Sequence, residues 1–334
     1  MKLQFILISY VITLTCYAQD PVYCLNIDNL NFDAYDQFKN DMKDKRVIMI
    51  GERHYMEANY IIQAELLMFL HKNYRVKNLL IEYGRAEAFL YNQYLKTGKI
   101  EYLEKTSPGI SNHYQFFQNW QKLFDYNSRL KEGDKILVHG IDFEREPSLS
   151  FVIKELLHDY SNHLDIQFIR ESLGERLDTI GMRRETKSHM LYLKKVLGDI
   201  SFTDSLNAYY IDYILENNSY KSNLHDRDRL MLETFLKIDS CQETFLGQLG
   251  RAHTMLNAVT GFSYLLNERP EYRNQILVTN MFKADFNTNK PLYKIINCPV
   301  ALCGFNGSTV YGRLGPWAII LKDQPYYPPI KYTN

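Results

Sequence analysis

Residues 47 to 54 read Val47-Ile48-Met49-Ile50-Gly51-Glu52-Arg53-His54: four aliphatic side chains in a row, a glycine, then polar and charged ones. An apolar run this short suits a strand buried on both faces. Beyond it, Ile61, Ile62, Leu66, Leu67, Phe69 and Leu70 recur at helical spacing, which predicts a helix over 57–72 packed on the sheet. The alternation continues along the chain. Strands are predicted at Asn78 to Ile81, Ile136 to Ile141, Thr244 to Leu249, Gln275 to Thr279, Val300 to Cys303 and Trp317 to Leu321, with a helix at about 86–97 stopped by Gly98. The pattern predicts an α/β fold: a mainly parallel central sheet flanked by helices. Between Pro147 and about Ser240 the sequence is only helical and charged. A helical insertion or cap over about 147–240, within a single domain from 19 to 334, is therefore expected, and it is a candidate for selecting substrate.

Four of the apolar runs end in similar chemistry. Ile50 leads into Gly51-Glu52-Arg53-His54, Ile81 into Glu82-Tyr83-Gly84-Arg85, Ile141 into Asp142-Phe143-Glu144-Arg145, and Leu249 into Gly250-Arg251-Ala252-His253. Ligands of open α/β sheets bind in the crevice at the carboxyl ends of the strands, so these residues are expected to converge. His54 precedes a helix, whose positive end disfavours imidazolium and leaves the ring available as a general base. Glu52 or Glu82 could accept the other ring N–H and fix the tautomer, so that the free nitrogen activates water. Arg53 and Arg85 offer forked donors to an acidic substrate group or an oxyanion. His54, Glu82 and His253 could equally hold a divalent metal with one position open to water. Asp142 has a plainer reading as the cap of the loop that follows its strand.

No covalent nucleophile stands out. Gly307-Ser308 lacks the second glycine of a Gly-x-Ser-x-Gly elbow, and there is no His-Glu-x-x-His, Walker loop or Gly-x-Gly-x-x-Gly. Composition narrows the partners. The 334 residues carry 39 Lys+Arg against 39 Asp+Glu, which excludes a general nucleic-acid binder, since that function needs a basic footprint. A small-molecule substrate is expected instead. The 26 tyrosines are read as compositional drift rather than as a ligand cleft.

Lys2, the apolar run Leu3 to Leu14 and the small residues Cys16 and Ala18 read as a secretory signal peptide over 1–18, too short to span a bilayer, which takes roughly 18 to 20 apolar residues. An exported chain, periplasmic or secreted and without a stable membrane span, is expected. A lipoprotein acylated at Cys16 fits less well, because Thr15 and Leu14 precede it. The mature chain keeps Cys24, Cys241, Cys298 and Cys303, of which Cys298 and Cys303 are near enough in sequence to bridge across a turn.

Gly51-x-x-His54, the strand-end Glu82 and the late Gly250-x-x-His253 resemble the signature of the superfamily that contains the erythromycin esterases, the ChaN haem-binding lipoproteins and the TraB and TIKI proteins. The erythromycin esterase-like branch looks nearest, through Asn92-x-Tyr94-Leu95-x-x-Gly98, Trp120, Tyr126-Asn127 and Arg227-Asp228-x-x-Met231. The resemblance implies hydrolysis of an ester, lactone or related bond, with His54 as base, Glu82 as its partner or site carboxylate, and Arg227 and His253 as substrate or transition-state contacts. Glu52 and Arg85 would stand beside them. Read without it, Arg227 is the polar first turn of a helix. The motif Gly-Glu-Arg-His-Tyr and the single histidine of Gly-Arg-Ala-His-Thr depart toward the ChaN and TIKI form. The resemblance therefore also implies two alternatives to a cofactor-free hydrolase: a metal-dependent hydrolase or peptidase, and a haem or iron carrier.

Overall fold

The computed structural model describes residues 21–27, 29–106, 114–158, 164–172, 184–199, 205–217, 226–239, 243–284, 294, 296–305 and 315–324. The proposed leader, Cys241, and the histidines at 113, 163 and 225 lie outside them.

The run that opens at Val47 forms β2 (Val47–Glu52), and alternate side chains go to opposite faces, as strand geometry requires. Ile48 and Ile50 join a core with Leu79, Ile81, Leu246 and Leu277 beneath α1 (Asp36–Met42), α2 (Ala58–Tyr74), α3 (Arg85–Thr97) and α5 (Tyr114–Ser128). Val47 and Met49 face the other way, into a core with Leu80, Phe245 and Val278 under α10 (Arg227–Ile238) and α12 (Phe262–Asn267). Burial on both faces explains why the strands read as continuous apolar runs.

The remaining strands are β1 (Val22–Cys24), β3 (Asn78–Ile81), β4 (Leu137–Gly140), β5 (Phe245–Gly250), β6 (Ile276–Ala284), β7 (Val300–Gly304) and β8 (Trp317–Lys322). They form one eight-stranded sheet in the order β1-β7-β8-β6-β2-β5-β3-β4. From β8 to β4 neighbouring strands are parallel, while β7 runs antiparallel to β8 and β1 antiparallel to β7. All seven predicted strands are present. β6 continues past Thr279 through Asn280 and Lys283, whose polarity ended the apolar run in the sequence, because it pairs there with β8.

The short α4 (Glu101–Glu104) follows α3, and α11 (Arg251–Thr254) follows β5. The described residues between 146 and 215 are helices α6 (Glu146–Leu156), α7 (Leu164–Ser172), α8 (Arg184–Asp199) and α9 (Ser205–Leu215), without a strand. Their apolar residues form a separate cluster that meets the main body at Ala86, Phe89 and Leu90 of α3.

Several residues of the sequence resemblance prove to be structural. The Asn92 amide donates to the Val138 carbonyl and accepts from the Val138 N–H, both at 2.8 Å, so it continues the ladder of edge strand β4 as a neighbouring strand would. Asn127 accepts from the Ile136 N–H at 2.8 Å, and Trp120 stacks on Tyr91 at 4.3 Å between ring centroids.

The disulfide joins Cys24 to Cys298, across 274 residues, rather than Cys298 to Cys303. Cys303 lies near the far end of β7, and an extended strand advances roughly 3.3 Å per residue, which carries the two sulfurs of the expected pair apart. Among the described residues no helix is long and apolar enough to cross a membrane.

Candidate active site

The strands β2, β5, β3 and β4 are consecutive in the sheet and parallel, so the four polar strand ends lie along one edge. The base side of the site is built on β2. Past Glu52 the chain turns through Tyr55 at φ 66°, a left-handed conformation that for a bulky side chain costs roughly 1 to 3 kcal/mol. The turn brings the ring of His54 back beside its own strand, where Nδ1 lies 2.8 Å from Glu52 Oε1. Glu52 is held in turn, because its Oε2 accepts from Gln248 Nε2 at 2.6 Å. The hydrogen bond to Glu52 raises the His54 pKa above its ordinary value; burial opposes this, the charges of Glu52 and Glu82 add to it, and His253 subtracts. The helix dipole expected to keep the ring neutral does not set the direction: α2 begins only at Ala58, while the Glu52 carboxylate is in contact. The His54 side chain remains 52% exposed.

The other side of the site is a network of opposed charges. Glu82, just beyond β3, accepts from the backbone N–H of Gly250 and from Arg227. The Arg227 guanidinium also holds Asp142, beyond β4, with Nε 2.9 Å from Oδ1 and Nη2 on Oδ2. His253 Nδ1 contacts Asp228 Oδ1 at 2.7 Å, and its Nε2 stands 3.4 Å from Glu82 Oε1. Asp228 accepts from the Phe262 N–H as well, at 2.7 Å. Burial alone would drive Glu82 toward the neutral acid, but the hydrogen bond and charge of His253, with Arg227 and the Gly250 N–H, hold its carboxyl far below the usual range. Burial likewise pushes His253 down, and Asp228 and Glu82 outweigh it, so its pKa rises to about 9. His253 is therefore a cation at neutral pH.

Two glycines make the assembly possible. A Cβ at Gly250 would lie 2.7 Å from His54 Nε2 and 3.0 Å from Glu82 Oε2. A Cβ at Gly51 would lie 2.0 Å from Asn280 Oδ1 and 2.1 Å from Thr254 Oγ1, inside the hydrogen bond that pairs those two buried groups.

The structure thus brings together Glu52, His54, Glu82, Asp142, Arg227 and His253. It does not bring Arg85 with them. Arg85 is buried against α9, its guanidinium 4.2 Å from the Tyr213 ring centroid and 3.7 Å from Glu216. Neighbouring Glu144 accepts from the N–H groups of Arg85 and Ala86 at 2.7 and 3.1 Å and from Asn217 Nδ2 at 2.6 Å. It ties the start of α3 to the helices over it, and its burial raises its pKa to about 7 against those hydrogen bonds. Arg53 is exposed beside His54. Sequence reasoning passed over Gln248 as a site residue; the signal available was a polar side chain inside the otherwise apolar run 245–249.

The set His54, Glu82 and His253 does not fit a metal ion. The Glu82 oxygens are already engaged by Arg227, Gly250 and His253, and Nδ1 of each histidine by a carboxylate, Glu52 for His54 and Asp228 for His253. Among the described residues no group of three or more His, Cys, Asp or Glu is placed to hold one.

No protein-family model and no curated protein matches the sequence. Solved structures do match over nearly the whole chain. A Bacillus cereus protein aligns with 91% of this chain and 95% of its own at 12% identity, TM-score 0.65. A mutant of the erythromycin esterase EreC in its open conformation aligns with 92% of this chain and 99% of its own, at 12% identity and a TM-score of 0.62. A succinoglycan biosynthesis protein covers 92% and 95%, also at 12% identity and 0.62. The chain thus has an erythromycin esterase-like α/β fold.

Proposed function

We propose that the protein is an exported hydrolase that cleaves an ester, lactone or related bond with water as nucleophile and His54 as general base. The observation that carries this reading is the relay Gln248, Glu52, His54. Glu52 accepts a hydrogen bond from Nδ1–H and fixes the ring, which leaves Nε2 without a hydrogen-bond partner among the described residues. A water bound there gives a proton to Nε2 as its oxygen adds to the carbonyl carbon. When the tetrahedral adduct collapses, the bond to the leaving oxygen breaks and that oxygen takes the proton back, yielding acid and alcohol. Cationic His253 and Arg53 supply the field for the developing oxyanion, and the Glu82, Arg227 and Asp142 network holds His253 in place.

The likeness to an esterase supports a small-molecule carbonyl substrate, with the helices over 146–238 as the part that selects it. The Cys24–Cys298 disulfide supports export, since such bonds persist in oxidising compartments. The test is hydrolysis of a panel of esters and lactones by the purified protein. His54→Ala is expected to lower kcat/KM by about a thousandfold and Glu82→Ala also to impair it, with no effect of a chelator on the wild type. A wild-type protein inactive on every member, with or without added metal, overturns the reading.

A further inference from the structure

The loop that carries His54 hangs between two buried amides. Residues 53–57 join β2 to α2, and their course turns on the left-handed conformation of Tyr55. Asn59, in the first turn of α2 and only 2% exposed, reaches back into this loop, where its Nδ2 donates to the Arg53 carbonyl at 2.8 Å. That carbonyl belongs to the peptide unit that includes the His54 nitrogen, so the bond fixes the plane from which the His54 side chain springs. On the other side Gln248 Nε2 donates twice, to Glu52 Oε2 at 2.6 Å and to the Asn59 carbonyl at 3.4 Å. With the contact between Glu52 and His54 Nδ1 the bonds close a ring: Gln248 to Glu52 to His54, back through the Arg53 peptide to Asn59, and from Asn59 to Gln248.

Helix stability does not account for Asn59. At a helix start an Asn stabilises as the N-cap, where its side-chain oxygen accepts from a backbone N–H. Asn59 lies two positions past the N-cap Glu57, and its own backbone N–H donates to the Met56 carbonyl at 3.0 Å. Its Oδ1 meets no donor among the described residues, and a buried oxygen left in that way costs stability. What the side chain does is hold the Arg53 carbonyl. Asn119 of α5 supplies the contrast: it too is 2% exposed with an unpartnered Oδ1, but its Nδ2 donates to Gln115 of its own helix, at 2.7 Å.

We infer that Asn59 is a positioning residue for the general base, holding the loop so that the His54 imidazole meets Glu52 and keeps Nε2 for water. The inference rests on the hydrolase reading for its effect on rate, and on the closed ring of hydrogen bonds for its effect on the imidazole. Without the Asn59 bond the loop, strained at Tyr55, relaxes, and the half-exposed ring swings off Glu52.

The test pairs Asn59→Ala with Asn119→Ala. Both put the best helix former in place of a buried helical Asn and remove an unpartnered oxygen, so their melting temperatures are expected to shift alike. With para-nitrophenyl acetate, Asn59→Ala should lower kcat about tenfold or more with KM little changed, as a misplaced base would, while Asn119→Ala keeps the wild-type values. NMR titration of the His54 ring, its resonance assigned by its loss in His54→Gln, reads the position without turnover. Contact with Glu52 raises that pKa, so in Asn59→Ala it should fall toward its ordinary value, and in Asn119→Ala it should stay. Wild-type hydrolysis with kcat or the titration unmoved by Asn59→Ala overturns the inference and leaves the hydrolase reading intact. Equal losses in the two variants, or an Asn59→Ala that does not fold, overturn it as well, because the role is then one of packing. No hydrolysis of any ester or lactone by the wild type, with the titration still shifted by Asn59→Ala alone, overturns the hydrolase reading and leaves the positioning of the ring standing.

Discussion

The ends of β2 and β5 lie side by side, and each presents a histidine whose Nδ1 touches a carboxylate, yet the two rings are set for different tasks. His54 has one carboxylate in contact, Glu52, and half of its side chain is exposed. His253 is only 12% exposed and has carboxylates at both nitrogens, Asp228 at 2.7 Å and Glu82 at 3.4 Å. One close anion tunes a base; two anions around a buried ring fix a cation. The comparison teaches that the number of carboxylates around each ring, rather than its position at a strand end, decides its protonation.

Short of removing the His54 ring itself, the largest effect is expected from removing its one anion. Glu52→Gln keeps the shape but loses the charge and offers an amide that can donate to Nδ1, which would turn the wrong tautomer toward the cleft. A fall in kcat/KM of about 100-fold or more at neutral pH is expected, by analogy with the loss of the orienting acid in catalytic triads. The raised pKa of His54 should also relax downward, so the acid limb of the pH–rate profile moves to lower pH. An unmoved limb would break the assignment of that limb to His54.

Next in size is a change at the point where the two regions touch. Gly250→Ala sets a methyl 2.7 Å from His54 Nε2 and 3.0 Å from Glu82 Oε2. The half-exposed His54 ring can swing away, so the melting temperature should change little while kcat/KM falls about 100-fold, the scale on which a misplacement of about 1 Å acts. A large loss of stability with activity kept per folded molecule would show instead that Gly250 serves packing.

How far the sequence reached follows from these same residues. The strands were legible because burial on both faces leaves a continuous apolar run, and the convergence of Glu52, Glu82, Asp142 and His253 because parallel strands place their ends on one edge. β1 was not legible: three residues at the sheet margin, partly exposed and pinned by the Cys24–Cys298 bond, carry no periodic signal. The partners within the site were not legible either. Nothing in the order of residues says that Arg227 reaches Asp142 and Glu82 from the opposite helix, while Arg85, at an equally suggestive strand end, turns away onto Tyr213. Direction of a side chain at a strand end depends on what packs above it, and that is decided by segments far away in the chain.

The smallest effect, and the one that most sharpens the contrast, concerns the second anion of His253. Asp228→Asn keeps an oxygen that can accept from the Phe262 N–H and from Nδ1, so it removes charge and little else. The pKa of His253, about 9 in the wild type, should fall toward its ordinary value near 6.5. A histidine raised in the folded state contributes stability that is fully present below its unfolded pKa and is lost as pH rises through the folded one. The wild type should therefore exceed Asp228→Asn by about 1 to 2 kcal/mol in denaturant unfolding at pH 6, with the difference shrinking as the pH climbs through about 9. Activity should fall only a few-fold at pH 8, because the alkaline limb moves inward while the acid limb, which belongs to His54, stays where it was. If Asp228→Asn moved the acid limb as well, the two rings would titrate as one coupled unit, and the division between a tuned base and a fixed cation would fail.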